Sequence, residues 1–90
     1  MRIKNTYIKK EVCGVNVVVP VGQSAKDFPG TVQLNGIANF IWNILATEKG
    51  ATEDEVVEKM LTEYIVDEDR ARSDLKKFLG QLREIKCLEE

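Results

Sequence analysis

The 90-residue chain contains no histidine and only two cysteines, Cys13 and Cys87. Two thiolates without an imidazole leave a tetrahedral zinc site half filled, so this chain alone is not expected to bind a metal. The commonest general acid–base group is missing as well, and no Ser-Lys pair, paired carboxylates or Gly-rich phosphate loop takes its place. We therefore expect a protein that is not an enzyme and carries no cofactor.

Long apolar runs are also absent. No stretch approaches the ~20 apolar residues of a membrane-spanning helix, and the first five residues lack the apolar segment of a signal peptide. A cytoplasmic location with no membrane partner is expected. In that compartment the two cysteines are expected to be reduced, and a disulfide that joins the sheet to the C-terminus is the alternative.

Excess positive charge is missing where a nucleic-acid-binding domain needs it. The net charge is −2, and residues 51–90 carry seven Lys or Arg against twelve Asp or Glu, a balance of −5. An acidic half-chain of this kind argues against general nucleic-acid binding, which depends on neutralising phosphates.

Three strands are predicted in the first third of the chain. Residues 7–12 and 15–19 are rich in β-prone side chains, and Cys13-Gly14 between them is typical of a tight turn. Pro20 ends the second strand because it cannot donate to a ladder. Residues 31–34 form the third, and the short connections favour an antiparallel meander.

Three capped helices follow. Asn35 suits an N-cap, and the apolar residues after it recur at helical spacing from Ile37 to Leu45. Thr52 with Glu55 forms a capping box, and Asp67 caps a third helix that runs to about Ile85. The order β-β-β-α-α-α predicts one α+β domain over residues 1–90, of the winged helix-turn-helix kind.

Several segments together resemble one family. They are "VVVPVGQSAKDFPG", "LNGIANFIWNIL", "TEDEVVEKMLTEY" and "VDEDRARSDLKKFLGQLREIKCLEE". This string resembles the PqqD family, the peptide-binding domains called RiPP recognition elements, which are named from a protein of pyrroloquinoline quinone biosynthesis. One departure is the ending Lys86-Cys87-Leu88, where the family usually has a Gly-Leu-Leu-like sequence.

The resemblance implies binding without catalysis. Such domains hold the leader of a ribosomally made precursor peptide and present it to a modifying enzyme, often a radical-SAM enzyme. In the family, the leader adds as an antiparallel strand on the third strand, in the groove beside the third helix. Here that strand is residues 31–34, whose edge carries no charge, proline or bulge to prevent pairing. The alternative is an edge that is merely short, or one that the third helix covers.

A row of cations on the third helix suggests one side of the groove. Arg72, Lys76, Leu79 and Arg83 fall within about 60° of one another on a helical wheel, whereas the opposite flank has mixed charge. Three cations around a leucine would suit an acidic peptide with an apolar anchor, although they would also complement the helix dipole and aid solubility. The predicted peptide-binding residues are Thr31, Val32, Gln33, Leu34, Arg72, Leu75, Lys76, Leu79 and Arg83.

Two alternatives remain open at this point. A winged-helix DNA-binding protein shares these elements, but would need a basic recognition helix and a basic wing. A homodimer through the unblocked sheet edge is the other, since that edge can pair with a second copy.

Overall fold

The computed structural model describes residues 1–21 and 32–90. The predicted meander and the three predicted helices are all present, and a short additional sheet joins the two ends of the chain. The elements are β1 (Arg2–Ile3), β2 (Tyr7–Val12), β3 (Val15–Pro20), β4 (Val32–Leu34), α1 (Gly36–Leu45), α2 (Glu53–Glu63), α3 (Glu68–Glu84) and β5 (Leu88–Glu89).

The main sheet is antiparallel, with the strand order β2-β3-β4. Cys13 and Gly14 have φ values of 51° and 80° in the turn between β2 and β3. Two consecutive positive φ angles define the two-residue hairpin turn whose twist matches that of its strands. β3 ends at Pro20, one residue beyond the predicted strand.

Each helix begins at the cap that the sequence predicts. The Asn35 side chain accepts a hydrogen bond from the Ala38 N–H at 3.2 Å, and Asp67 accepts one from Arg70 at 2.7 Å. Thr52 and Glu55 exchange side-chain to backbone bonds at 3.0 and 3.2 Å. The Thr52 N–H donates to the Glu55 carboxylate and thereby lowers the pKa of that carboxyl. These bonds satisfy donors that a helix start otherwise leaves free.

The three helices and the inner face of the sheet share one apolar core. Its fully buried members include residues of β3 and of every helix, among them Val18, Ile41, Leu45, Val56, Met60, Leu79 and Leu82. Two polar side chains of β2 tie the layers together. The Tyr7 hydroxyl donates to the Ile85 carbonyl at 2.7 Å, and the Lys9 ammonium donates to Asn39 and Asn43 of α1, each at 2.8 Å.

The C-terminal residues leave α3 as predicted, but they form a strand that the sequence pattern did not predict. Lys86 takes a φ of 60°, which turns the chain back so that β5 pairs with β1. The adjacent Cys87 is buried, and burial raises the pKa of its thiol to about 12. Cys13 is exposed and not part of the core, and both cysteines are free, so the alternative of a disulfide is not realised.

No helix in the part of the chain that the structure describes is long and apolar enough to span a bilayer.

Two glycines give a matched test of this arrangement. Gly50 has a φ of 68°, and a Cβ there would overlap the Met1 carbonyl and lie 2.7 Å from the Arg2 Cβ. Gly80 lies within α3, and a Cβ there would meet nothing within 4 Å. We expect Gly50→Ala to lower the free energy of unfolding by about 2 kcal/mol or more. Gly80→Ala should raise it by up to about 1 kcal/mol, because alanine is the better helix former.

Urea denaturation of the two variants and the wild type measures both effects. Equal stabilities for Gly50→Ala and the wild type would contradict the close approach of the N-terminal strand to Gly50.

Candidate functional site

Along β3, alternate residues hydrogen-bond to β2 and to β4, and this alternation shows which backbone groups of β4 point away from the sheet. The Val21 N–H donates to the Thr6 carbonyl on the β2 side at 2.8 Å, so the odd-numbered residues of β3 are bonded to β2. Asn16 and Val18 therefore bond to their partners Leu34 and Val32 in β4, because bonded and non-bonded pairs alternate in an antiparallel ladder. Gln33, between those two, turns its N–H and C=O to the opposite edge.

That opposite edge is unpaired within residues 1–21 and 32–90, where β4 bonds only to β3. Val32 and Leu34 are buried and Gln33 is exposed, so the strand has one core face and one outer face. The structure thus leaves an N–H and a C=O at Gln33 available to an added strand. Thr31, also predicted to belong to this edge, lies outside the described residues.

An open groove of about 480 Å³ runs along this edge, between β4, the start of α1 and one flank of α3. Its floor is apolar, formed by Phe78 of α3 with Ile37, Ala38 and Ile41 of α1. Polar groups stand at its rim, namely Gln33, Asn35, Asp74, Lys77 and Gln81. An apolar floor with a polar rim is the usual composition of a binding surface.

The rim carries two charged side chains, Asp74 and Lys77, and only Asp74 has an ion-pair partner among the described residues. The Asp74 carboxylate accepts a hydrogen bond from the Arg70 guanidinium at 3.3 Å, so its charge is compensated. Lys77 is exposed and makes no ion pair with any of the described residues. The first turn of α1, which forms the facing wall, contains no acidic residue. Among the described residues, the rim of the groove is therefore net positive, in a chain whose net charge is −2.

The cationic row predicted for this groove lies elsewhere. The Arg72 guanidinium is 3.0 Å from Glu68 and 3.1 Å from Asp54 of α2, and these hydrogen bonds raise the pKa of the arginine. Lys76 lies beside Arg72 in a depression that Glu53 and Val57 of α2 also line.

The other members of the row are also engaged away from β4. Arg83 pairs with Glu90 at 2.8 Å, and this bond raises the pKa of the arginine. Leu79 is 0% exposed and Leu75 is 2% exposed, so both are core residues. The groove beside β4 is therefore lined by none of Arg72, Lys76, Leu79 and Arg83, and a role for them in peptide binding stays a prediction. A helical wheel gives the angles between side chains, but it does not say which flank of α3 faces the sheet.

The groove residues that sequence reasoning missed lie on the other flank of α3. They are Asp74, Lys77, Phe78 and Gln81. That flank has mixed charge in sequence, and Phe78 lies at apolar helical spacing with other buried residues of α3, so no local signal distinguishes them. The placement depends on the direction in which α3 crosses the sheet, which only the folded chain specifies.

The described residues contain no cluster of three His, Cys, Asp or Glu side chains that could hold a metal ion. The buried Cys87 thiol does not line the groove.

The chain is similar to a known protein family and to a solved structure. A family model described as Coenzyme PQQ synthesis protein D (PqqD) matches residues 17–88, which include most of β3, all of β4 and all three helices. A solved structure entitled TbiB1 in complex with the TbiA(beta) leader peptide is similar, with a TM-score of 0.75 and 26% sequence identity. The similarity covers 99% of this chain and 95% of that chain. No curated protein sequence matches the chain. The chain belongs to the PqqD family.

Proposed function

We propose that this protein binds the leader segment of a ribosomally synthesised precursor peptide as an additional antiparallel strand on β4. The observation that carries the proposal is the position of the groove, directly along the unpaired edge of β4. The similar structure of TbiB1 with a bound leader peptide supports it. The protein acts as a recognition module and performs no chemistry itself.

Strand addition divides affinity and specificity between two sets of contacts. The Gln33 N–H and C=O bond to the backbone of the peptide residue opposite, and these bonds do not depend on the peptide sequence. That residue points to the outer face of the sheet, as Gln33 does, while its two neighbours point into the groove. The side chains of those neighbours are the ones that Phe78 and the α1 residues select.

The bound leader then tethers the precursor for a modifying enzyme. A tether of this kind holds the substrate at an effective concentration that reaches roughly millimolar for a short flexible connection. We propose a radical-SAM enzyme as the partner that performs the chemistry. The family description, a coenzyme PQQ synthesis protein, is consistent with a peptide-modification pathway.

A homodimer through the β4 edge would compete with the leader for the same backbone groups. Such a dimer has to dissociate before the peptide binds, so peptide binding and self-association should oppose one another if both occur.

DNA binding is less well supported by the charges. The three arginines of α3 each pair with a carboxylate: Arg70 with Asp74, Arg72 with Glu68 and Asp54, and Arg83 with Glu90. A recognition helix needs cations that are free to contact phosphates and bases, and among the described cations of α3 only Lys76 and Lys77 make no ion pair.

The experiment begins with a display library of random 12-residue peptides panned against the purified protein. A selected peptide is then titrated into ¹⁵N-labelled protein. We expect the largest amide shifts at residues 33–38 and 74–81, because these residues line the edge and the groove. Shifts confined to α2 and the Arg72 side of α3 would contradict strand addition on β4.

A further inference from the structure

Lys77 is a groove residue with no intramolecular role in the described structure. Its ammonium forms no ion pair or hydrogen bond with residues 1–21 or 32–90. It lies on the same flank of α3 as Phe78, whose ring forms part of the groove floor. An exposed, uncompensated cation at the rim of an apolar groove is available to a ligand.

The other charge in the groove does not cancel it. Asp74, one helical turn before Lys77, has its carboxylate 3.3 Å from the Arg70 guanidinium. The side chain of Asp74 is 26% exposed, whereas that of Arg70 is 71% exposed. The pair is neutral as a unit, so among the described residues that line the groove Lys77 carries the one charge without an ion-pair partner.

We propose that Lys77 gives the groove a preference for leaders that carry an Asp or Glu at an even spacing from an apolar anchor residue. The anchor contacts Phe78, Ala38 and Ile41, and the carboxylate pairs with Lys77. This inference deepens the proposed function and rests on it, because it assumes a strand added to β4.

The even spacing follows from strand geometry. Successive side chains of a strand point to opposite faces, so two residues both directed into the groove are separated by two or four positions. An acidic residue at an odd spacing from the anchor would point to the outer face of the sheet, on the side of the Gln33 side chain. A preference for even over odd spacing therefore distinguishes pairing with Lys77 from a general attraction of acidic peptides to the protein.

The pairing is also expected to depend on salt and on burial. A bound strand covers part of the groove and displaces water from around Lys77, which strengthens the attraction relative to an exposed surface pair. Since the rim stays open to solvent, added salt should still screen the attraction between Lys77 and the peptide carboxylate.

The neighbouring lysine provides a matched control. Lys76 is exposed on the same helix but lies on the α2 side, beside Arg72. Lys76→Glu and Lys77→Glu have the same composition and net charge and differ only in the flank they alter. Their comparison removes any effect of overall charge on peptide binding.

The probe is the library of random 12-residue peptides, panned in parallel against the wild type, Lys77→Glu and Lys76→Glu. We expect the wild type and Lys76→Glu to enrich Asp or Glu two or four positions from an aliphatic or aromatic residue. Lys77→Glu should lose that enrichment and favour Lys or Arg at the same spacing. Thermal melting of each variant confirms that it is folded.

Affinities measured with one selected acidic peptide make the test quantitative. Lys77→Glu should weaken binding about 10-fold, and Lys76→Glu by less than about twofold. Replacing the acidic residue of the peptide by Lys should restore binding to Lys77→Glu. The difference between the two variants should shrink between low salt and about 0.5 M salt.

The outcomes separate this inference from the function on which it rests. Peptides that bind at the β4 edge without an acid preference, or with the same preference in Lys77→Glu, overturn the role of Lys77 and leave leader binding standing. Enriched peptides that leave the amides of residues 33–38 unshifted, or no enriched peptides at all, overturn both.

Discussion

Replacing Gln33 by proline should abolish most of the peptide binding while leaving the protein folded. The Gln33 N–H faces the free edge of β4, so its loss removes no bond to β3. Proline is tolerated at an edge position whose N–H points outward. In the variant, the ring carbon takes the place of the hydrogen that an added strand would bond to, and it also occupies the space of that strand. We expect an affinity loss of at least about 10-fold from the lost bond and the displaced backbone together.

Gln33→Ala is the matched control, because it removes the same side chain but keeps the N–H. Isothermal titration with a selected peptide should give nearly wild-type affinity for Gln33→Ala and weak or no binding for Gln33→Pro. Circular dichroism should show the same secondary structure in both. Full affinity in the proline variant would mean that peptides bind without using this edge.

Replacing Leu79 by alanine should do the opposite of Gln33→Pro: the protein should lose much stability, and its affinity for the peptide should change little. Leu79 is 0% exposed, in the core between α3 and its neighbours. A buried Leu→Ala substitution costs about 2–5 kcal/mol, and in a domain of this size that lowers the melting temperature by roughly 10 °C or more. Because Leu79 does not line the groove, the variant that remains folded should bind a selected peptide within about twofold of the wild type.

Leu79→Met, which nearly conserves volume, controls for the change of residue and should cost less than about 1.5 kcal/mol. Denaturant melts measure the free energy of unfolding. Titration at low temperature, where the variant stays folded, measures its affinity for the peptide. A Leu79→Ala protein of unchanged melting temperature and much weaker binding would show that Leu79 reaches the ligand, as the sequence alone suggested.

The two substitutions test the two sides of the predicted site. Sequence reasoning predicted the β4 edge but not the α3 residues that line the groove. The edge of the third strand was predicted from local features: a short β-prone segment, no charge or proline within it, and a helix cap at Asn35 immediately after. Each of these features acts on the backbone within a few residues. The structure retains all of them in its described part, with Val32–Leu34 as the edge strand and Asn35 capping α1.

The α3 wall of the groove was not predictable in the same way. Arg72 and Lys77 both lie beside the buried stripe of one helix, on opposite flanks, and their spacing contains no information about what faces each flank. Contacts between residues distant in sequence decide what each flank faces. Arg72 forms an ion pair with Asp54 of α2, whereas the Lys77 flank faces β4 and α1. The same limit applies to the β1–β5 sheet, whose strands are separated by more than 80 residues.

The sequence by itself determined the elements and their order, because turns, caps and apolar periodicity act locally. It also specified the family, whose characteristic segments extend over most of the chain. The tertiary structure alone decided which flank of α3 lies along β4, and therefore that Lys77 and Phe78 line the groove while Arg72 and Leu79 do not. The physical reason is that the packing of three helices on one sheet face fixes the rotation of α3 about its axis. That rotation minimises exposed apolar area over the whole core, and no segment of the chain specifies it alone.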